Sequence, residues 1–369
     1  MDAEPLILVI NFGSTSTKIG VFRGEEAEFT QSFDHGVGDY PKRFADLVEH
    51  RAFAEQLIEG VLSEHGYKLA DFDVFVARGG AQVFIQSGAY LINERMYEDT
   101  FKFGGHSHPG KLGTQIAYGY SQTYDKPAYI VNAPSVDEFD DVARLTGLHD
   151  IMRQSRIHTL NQKEVAHRYA REHDLVYKEI NLIVCHMGGG ISVTAHRRGR
   201  MVDSNDIIEG EGPMSPTRAG MLPVLPLLRL AYSGTYTQEE LILRTVKTGG
   251  MYDHIGTDDL RKAEQMIADG DTYAQIVVES MFYQIAKQVG AMAVVLDGKV
   301  DAILFTGGMA KSHKLVEYLT EKLSWIAPIF SYPGEFELQG LASGIVRVLS
   351  GEEEAHEYTG VDVWTGFDR

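Results

Sequence analysis

The sequence predicts an α/β chain built twice on one plan, and three stretches carry that expectation. The first is Leu6-Ile-Leu-Val-Ile-Asn-Phe-Gly-Ser-Thr-Ser-Thr-Lys-Ile-Gly-Val-Phe22, where five apolar residues run into Asn11 and a small-residue turn from Gly13 to Thr17. Lys18 and a second apolar stretch complete a hairpin. The second stretch, Asn181 to Cys185 followed by His186-Met-Gly-Gly-Gly-Ile-Ser-Val-Thr-Ala-His196, repeats the pattern with Gly188, Gly189 and Gly190 at its turn. The third is Val300-Asp-Ala-Ile-Leu-Phe-Thr-Gly-Gly-Met-Ala310, whose Gly307 and Gly308 lead towards an expected helix. Two hairpins half a chain apart and a third strand–glycine turn suggest a duplicated nucleotide-binding architecture. Backbone N–H groups, the hydroxyls of Ser14, Thr15 and Ser16, and the Lys18 ammonium form a concavity of donors suited to a phosphoryl group.

The remaining elements follow in order. Thr30 to Tyr40 reads as strand plus loop, and Pro41 to His65 has helical spacing at Phe44, Leu47, Val48, Phe53, Leu57, Ile58, Val61 and Leu62. Phe72 to Ala77 is an apolar strand ending at Arg78-Gly-Gly80. A loop from Ser107 opens a helix by Gly113, and Pro127 to Asn132 is a buried strand. Gln154 to Asp174 reads as helix, and a polar loop is expected from Asp203 to Arg218. Helices dominate from Leu222 to Leu296, one of them opened by a capping box at Thr237-Gln-Glu-Glu240. Lys311 to Leu323 is an expected helix, Ile326 to Tyr332 a strand, and the last helix ends near Ser350. The domain boundary falls near residue 153: residues 1–153 form one domain, 154–339 the second, and the tail, 340–369, is expected to complete the first.

The chain has 369 residues, 44% apolar and 23% charged, which suits a two-domain globular protein. A formal charge of −18 argues against nucleic acid or an anionic membrane as partner, because both need clustered Lys and Arg. The single cysteine, Cys185, lies inside an apolar strand and fits a reducing cytoplasm. Leu6–Ile10 is too short for a secretory signal and follows Asp2 and Glu4 without a cationic segment. The apolar stretch from Met221 to Tyr232 is broken by Pro223, Pro226 and Arg229, so it does not read as a membrane span.

Two arginines sit in glycine-flanked loops, Arg78-Gly-Gly80 and Thr217-Arg-Ala-Gly220, where a guanidinium can fork onto carboxylate or phosphate. His158 follows Arg156-Ile157 just before a helix. Here the residues reach a family. Asn11 to Lys18 resembles the phosphate hairpin of the acetate/butyrate kinase family, within the superfamily of actin, heat-shock ATPases and sugar kinases. Ala77-Arg-Gly-Gly80, His108-Pro-Gly-Lys-Leu-Gly113, Arg156-Ile-His158, His186-Met-Gly-Gly-Gly190, Asp203-Ser-Asn205 through Arg218, and Thr306-Gly-Gly308 follow in the family's order. The butyrate-kinase branch is the closer one, on Val136-Asp-Glu-Phe-Asp-Asp-Val-Ala-Arg144, Pro213-Met-Ser-Pro-Thr-Arg-Ala-Gly220 and Tyr332-Pro-Gly-Glu335.

The resemblance implies two ribonuclease-H-like, actin-like ATPase domains with a cleft between them. It also implies reversible transfer of phosphoryl from ATP to a short-chain carboxylate, with Mg2+, and a habit of forming dimers or larger assemblies. A carboxylate is ionised at neutral pH and needs no strong base, so positioning and charge neutralisation carry the chemistry. On the family's pattern Arg78 pairs with the substrate carboxylate and Arg218 clamps it and the phosphoryl oxygens. His158 donates to those oxygens, with His108 as second donor. Asn11, Ser14, Ser16 and Lys18 face phosphates and metal, and Gly188, Gly189, Gly190, Gly307 and Gly308 line the nucleotide. Where acetate kinases place an aspartate the chain has Asn132, and Asp137 is the candidate to replace it. The family's metal-site glutamate corresponds to Glu335 or Glu337, and spacing does not choose. Gly80 and Ile157 replace bulkier residues of the acetate pocket, which implies a larger acyl site for butyrate or isobutyrate. The rivals are an acetate or propionate kinase, a sugar kinase, which needs a base not placed here, and a nucleotide-dependent switch protein.

Overall fold

A computed structural model describes residues 4–13, 16–34, 44, 46–80, 82–103 and 110–367. By its contacts the chain divides into two compact units: Met1–Asp137 with Thr159–Glu164 and Phe336–Arg369, and Glu138–His158 with Val165–Glu335.

The first unit is centred on β1 (Leu6–Phe12), buried at every residue because strands pair on both of its edges and layers cover both of its faces. β2 (Ser16–Arg23) returns antiparallel, setting Ile10 opposite Ile19 and Asn11 opposite Lys18. β3 (Glu26–Asp34) extends the meander. On the other edge of β1 lies β4 (Val74–Ala77), parallel, with Ala77 beside Ile10. β5 (Ala89–Leu91) and β6 (Ala128–Val131) complete a six-stranded sheet in the order β3-β2-β1-β4-β6-β5. Helix α1 (Leu47–Glu64) starts on Asp46, whose carboxylate accepts from the Glu49 N–H at 2.9 Å. α2 (Glu94–Lys102) and α3 (Gly110–Tyr124) follow. α4 (Thr159–Glu172) gives its first six residues to this unit and the rest to the other.

The second unit repeats the plan. β7 (Asn181–Met187), β8 (Ile191–Arg197) and β9 (Arg200–Ser204) form the meander. β10 (Ala302–Gly307) and β11 (Ile329–Pro333) add in parallel, giving β11-β10-β7-β8-β9. The order β9-β8-β7-β10-β11 mirrors β3-β2-β1-β4-β6, with β5 an extra edge strand. Helices α5 (Val224–Ala231), α6 (Gln238–Val246), α7 (Met251–Ile255), α8 (Leu260–Ala268), α9 (Thr272–Val295) and α10 (His313–Leu323) accompany it. The capping box at Thr237 and Glu240 forms as read. The core is β7, β8 and β10 against α9, with Cys185, Phe305, Met281 and Ile285 fully buried.

α11 (Glu337–Leu349) belongs to the first unit and packs Leu341, Ala342 and Ile345 with Ile7, Val9 and Val131. The tail stays with it: Tyr358 donates to the buried Asp99 at 2.9 Å, and Asp362 accepts from the Phe84 N–H at 2.7 Å. The boundary expected near residue 153 differs from this division. Residues 138–153 go with the second unit, tied by Arg153 to Asp203 and Glu211. Leu160 goes with the first, inside its core. The expected loop from Asp203 begins instead as the end of β9, and the expected strand from Thr30 starts earlier, at Glu26. Among the described residues no helix is long and apolar enough to cross a membrane.

Candidate active site

The duplication carries the two hairpins into register. Asn11 and His186 each stand two residues before their turn glycines, Gly13 and Gly188, and face Lys18 and Ser192 respectively across the hairpin. Ala77 lies beside Ile10 and Thr306 beside His186, so Arg78-Gly79-Gly80 occupies the place that Thr306-Gly307-Gly308 holds in the other sheet.

In the first unit, Asn11 is buried at the end of β1. Its Nδ2 donates to the Glu337 carboxylate at 2.7 Å, while its Oδ1 is buried with no hydrogen-bond partner. Glu337 also lies 3.9 Å from an Arg78 Nη, and the Arg78 Nε is buried without a partner. Asn11, Arg78 and Glu337 thus gather at one end of the sheet, because β1 and β4 finish there and α11 begins there. Glu335 is exposed and falls in the other unit, so of the two candidate glutamates it is Glu337 that meets Asn11. Lys18 is half-buried on β2, and the Ser16 carbonyl accepts from the Gly13 N–H at 2.8 Å, closing the turn. Ser14 and His108 lie outside the described residues. Gly80 follows Gly79 at positive φ and donates its N–H to Gln82 at 2.8 Å.

Asn132 takes a structural part. It sits at φ +44°, a conformation asparagine tolerates better than most residues, and its Oδ1 accepts from the Gly88 N–H at 2.9 Å. Asp137 is buried five residues on, its N–H given to the Ile85 carbonyl at 2.8 Å.

In the second unit, the turn between β7 and β8 closes on a Gly188 N–H to Gly190 carbonyl bond of 3.0 Å. The Gly189 carbonyl accepts from Ser215 Oγ at 2.6 Å and Thr217 Oγ1 at 2.9 Å, which fastens the loop bearing Arg218 onto the turn. The guanidinium then lies on Gly190, where a Cβ would fall 1.5 Å from its Nη1. That Nη1 is buried and has no hydrogen-bond partner. Burial pushes the Arg218 pKa down, and the Asp206 carboxylate opposes the shift. Asp206 is itself buried, and that raises its pKa despite N–H bonds from Ile208 at 2.7 Å and Glu209 at 2.9 Å. An unpaired buried donor on a cation costs about 1–3 kcal/mol or more, and an anionic ligand would remove that cost.

His158 precedes α4, and its Nδ1 lies 2.9 Å from Ser192 Oγ. Its ring stacks on His186 with centroids 3.9 Å apart and 16° between planes. Ile157 beside it is buried.

A cleft of about 750 Å³ opens on the same turn, lined by Gly188, Gly189, Gly308, Arg261, Lys311 and His313 among others. Gly308 has open space where a side chain would point. Ser312 caps α10 here, accepting from the Leu315 N–H at 3.2 Å and donating to Glu264 at 2.6 Å. The helix N-terminus favours an anion at this rim. Gly307 does a different job: at φ +88°, its Cβ position would come 2.3 Å from the Met187 carbonyl, so only glycine lets β10 pass β7 so closely.

Residues 145–327 match the sequence model of the Acetokinase family. That span holds His158, Gly188 to Gly190, Arg218, Gly307 and Gly308; Asn11, Lys18 and Arg78 lie outside it. The structure is similar to that of Porphyromonas gingivalis acetate kinase, with a TM-score of 0.75 at 18% identity over 94% of this chain and 100% of that one. It is similar to a propionate kinase from Francisella tularensis subsp. tularensis SCHU S4, with a TM-score of 0.70 at 18% identity over 92% and 98%. Entamoeba histolytica acetate kinase gives a TM-score of 0.73 at 15% identity over 92% and 98%. At these identities the likeness is one of fold, and the fold is the actin-like ATPase fold that acetate kinases and sugar kinases share.

Sequence reasoning gave no role to Ser192, Asp206 or Arg261. Laying the two hairpins over one another would have singled out Ser192, because it holds the cross-strand place of Lys18. Among the described residues no three His, Cys, Asp or Glu side chains cluster as a metal site.

Proposed function

We propose that this protein transfers the γ-phosphoryl group of ATP to a short-chain carboxylate, forming an acyl phosphate reversibly by direct in-line transfer. The observation that carries the reading is Arg218: a half-buried side chain whose Nη1 is buried and unpaired, held on a glycine turn that borders a nucleotide-sized cleft. The acetokinase match over 145–327 supports it. Arg218 clamps the transferring group, His158 donates to its oxygens with His108 as second donor, and Arg78 pairs with the acid. Gly188, Gly189 and Gly308 admit the nucleotide phosphates to the backbone, with Gly190 and Gly307 shaping the turn. Ser14, Ser16 and Lys18 serve the phosphate side of the first hairpin, and Asp137 adds negative charge for the metal.

The orphaned Asn11 Oδ1 beside the Glu337 carboxylate fits a hard divalent cation, which commonly takes one or two carboxylates and completes its shell with phosphate and water. Glu337 replaces Glu335 in this role. Mg2+, when bound, neutralises phosphate charge. A chelator should therefore abolish turnover, and added Mg2+ should restore it.

Gly80 and Ile157 favour butyrate or isobutyrate over acetate, each buried CH2 contributing about 0.8 kcal/mol. The acetate and propionate kinases of similar structure favour a second reading, an acetate or propionate kinase. We further propose assembly into a homo-oligomer in the cytoplasm. Hydroxamate trapping with Mg-ATP and acetate, propionate, butyrate and isobutyrate in parallel tests the function. A signal rising to the four-carbon acids supports the butyrate reading, and one greatest with acetate keeps the chemistry and removes the pocket argument. No signal with any acid, despite ATP binding, returns the chain to a nucleotide switch.

A further inference from the structure

On the kinase reading His158 acts through one ring nitrogen, and the structure shows what holds the other. Its Nδ1 lies 2.9 Å from Ser192 Oγ, and its face lies on His186. Ser192 is fully buried on β8 and stands opposite His186 in the hairpin register, so hydroxyl and ring belong to one rigid strand pair. A neutral imidazole donates from one nitrogen and accepts at the other, and a serine hydroxyl can meet either, so the direction of the Nδ1–Ser192 bond decides which nitrogen carries the proton.

We propose that Ser192 and His186 are positioning residues for His158: the Ser192 hydroxyl donates to Nδ1, which keeps the proton on Nε2, and the His186 face sets the plane of the ring. Nε2–H is then the donor offered to the transferring phosphoryl group. This inference rests on the kinase reading for the use of Nε2, but not for the tautomer itself. The arrangement has no counterpart in the first hairpin, where Lys18 takes the place of Ser192 and Asn11 that of His186.

The test is the ring protonation pattern of His158 in the full chain labelled with 15N-histidine, without ligand, at a pH where the ring is neutral. Two-bond 15N–1H correlations separate protonated from bare nitrogens, and the signals that vanish in His158→Gln assign the ring. The expected wild-type pattern is a protonated Nε2 and a bare Nδ1. In Ser192→Ala the two tautomers should mix, and Ser192→Thr should restore the wild-type pattern. Under the kinase reading, Ser192→Ala should lower kcat about tenfold with both KM values within about twofold, and Ser192→Thr should recover it. A protonated Nδ1 in the wild type overturns the proposal, as does a Ser192→Ala ring with unchanged tautomer. Because the spectrum needs no turnover, failure to phosphorylate any acid would remove the kinase reading and leave the tautomer result standing.

Discussion

The first hairpin and the second share a register and differ in where their charge comes from. At the first, the elements that meet at the sheet end supply it: Lys18 on β2, Arg78 directly after β4, and Glu337 where α11 starts. At the second, the matching places hold Ser192 and Thr306, and the cation arrives from a loop nearly thirty residues downstream. Arg218 reaches the turn because Ser215 and Thr217 tie that loop to the Gly189 carbonyl and because Gly190 leaves room for the guanidinium. One backbone plan therefore carries two arrangements of charge, and the glycines of the second turn provide the space for a side chain from elsewhere.

Removing the imported cation should break the comparison most severely. Arg218→Ala is expected to lower kcat/KM in the hydroxamate assay by about 10²–10³-fold. Its thermal midpoint should stay close to wild type, relief of the unpaired Nη1 offsetting the lost attraction to Asp206. Activity within threefold of wild type would mean that the second hairpin does not handle the phosphoryl group.

Filling the space should act next. Gly190→Ala forces the Arg218 guanidinium to move and should cost about 10–100-fold in kcat, by misplacing a group that must be held in line. Gly307→Ala, strained at φ +88° and meeting backbone, should instead cost about 1–3 kcal/mol in denaturant unfolding. Gly308→Ala has room and should melt as wild type, with a raised KM for ATP if phosphates approach there.

Asn132 follows directly on β6, whose partner strand β4 leads into Gly79, much as Pro333 closes β11 beside Gly307. Asn132→Ala loses both the side-chain bond to Gly88 and the residue suited to φ +44°, and should cost about 1–2 kcal/mol of stability, read by urea unfolding.

The smallest effect concerns Asp206, whose folded pKa lies above its unfolded value near 4. Its stability contribution is full below that value and falls as pH rises through the folded pKa. Asp206→Asn keeps an oxygen for the two N–H donors, so its melting temperature relative to wild type should improve between pH 4 and pH 7. A difference independent of pH would show that the carboxylate is compensated.

Much of the fold was legible because β1, β7 and β10 are continuous apolar runs closed by glycine, and Thr237 with Glu240 announces a helix start chemically. Ala89–Leu91 and Glu94–Lys102 were not legible: three residues carry no period, and α2 buries only Met96, Asp99 and Thr100. Arg218 could be picked out from its glycine-flanked loop, but neither its burial nor its seat on Gly190 could, since both depend on a segment far away in sequence. Glu335 and Glu337 look alike in sequence, and only the start of α11 turns one of them to Asn11.

By itself the sequence determined the repeated strand–turn plan and the residue types at its turns, because hydrophobic period and glycine tolerance are local properties. The tertiary structure decided which glutamate meets Asn11, which glycine gives space and which gives passage, and which hydroxyl faces His158. Those are contacts between residues distant along the chain, and close packing rather than local preference determines them.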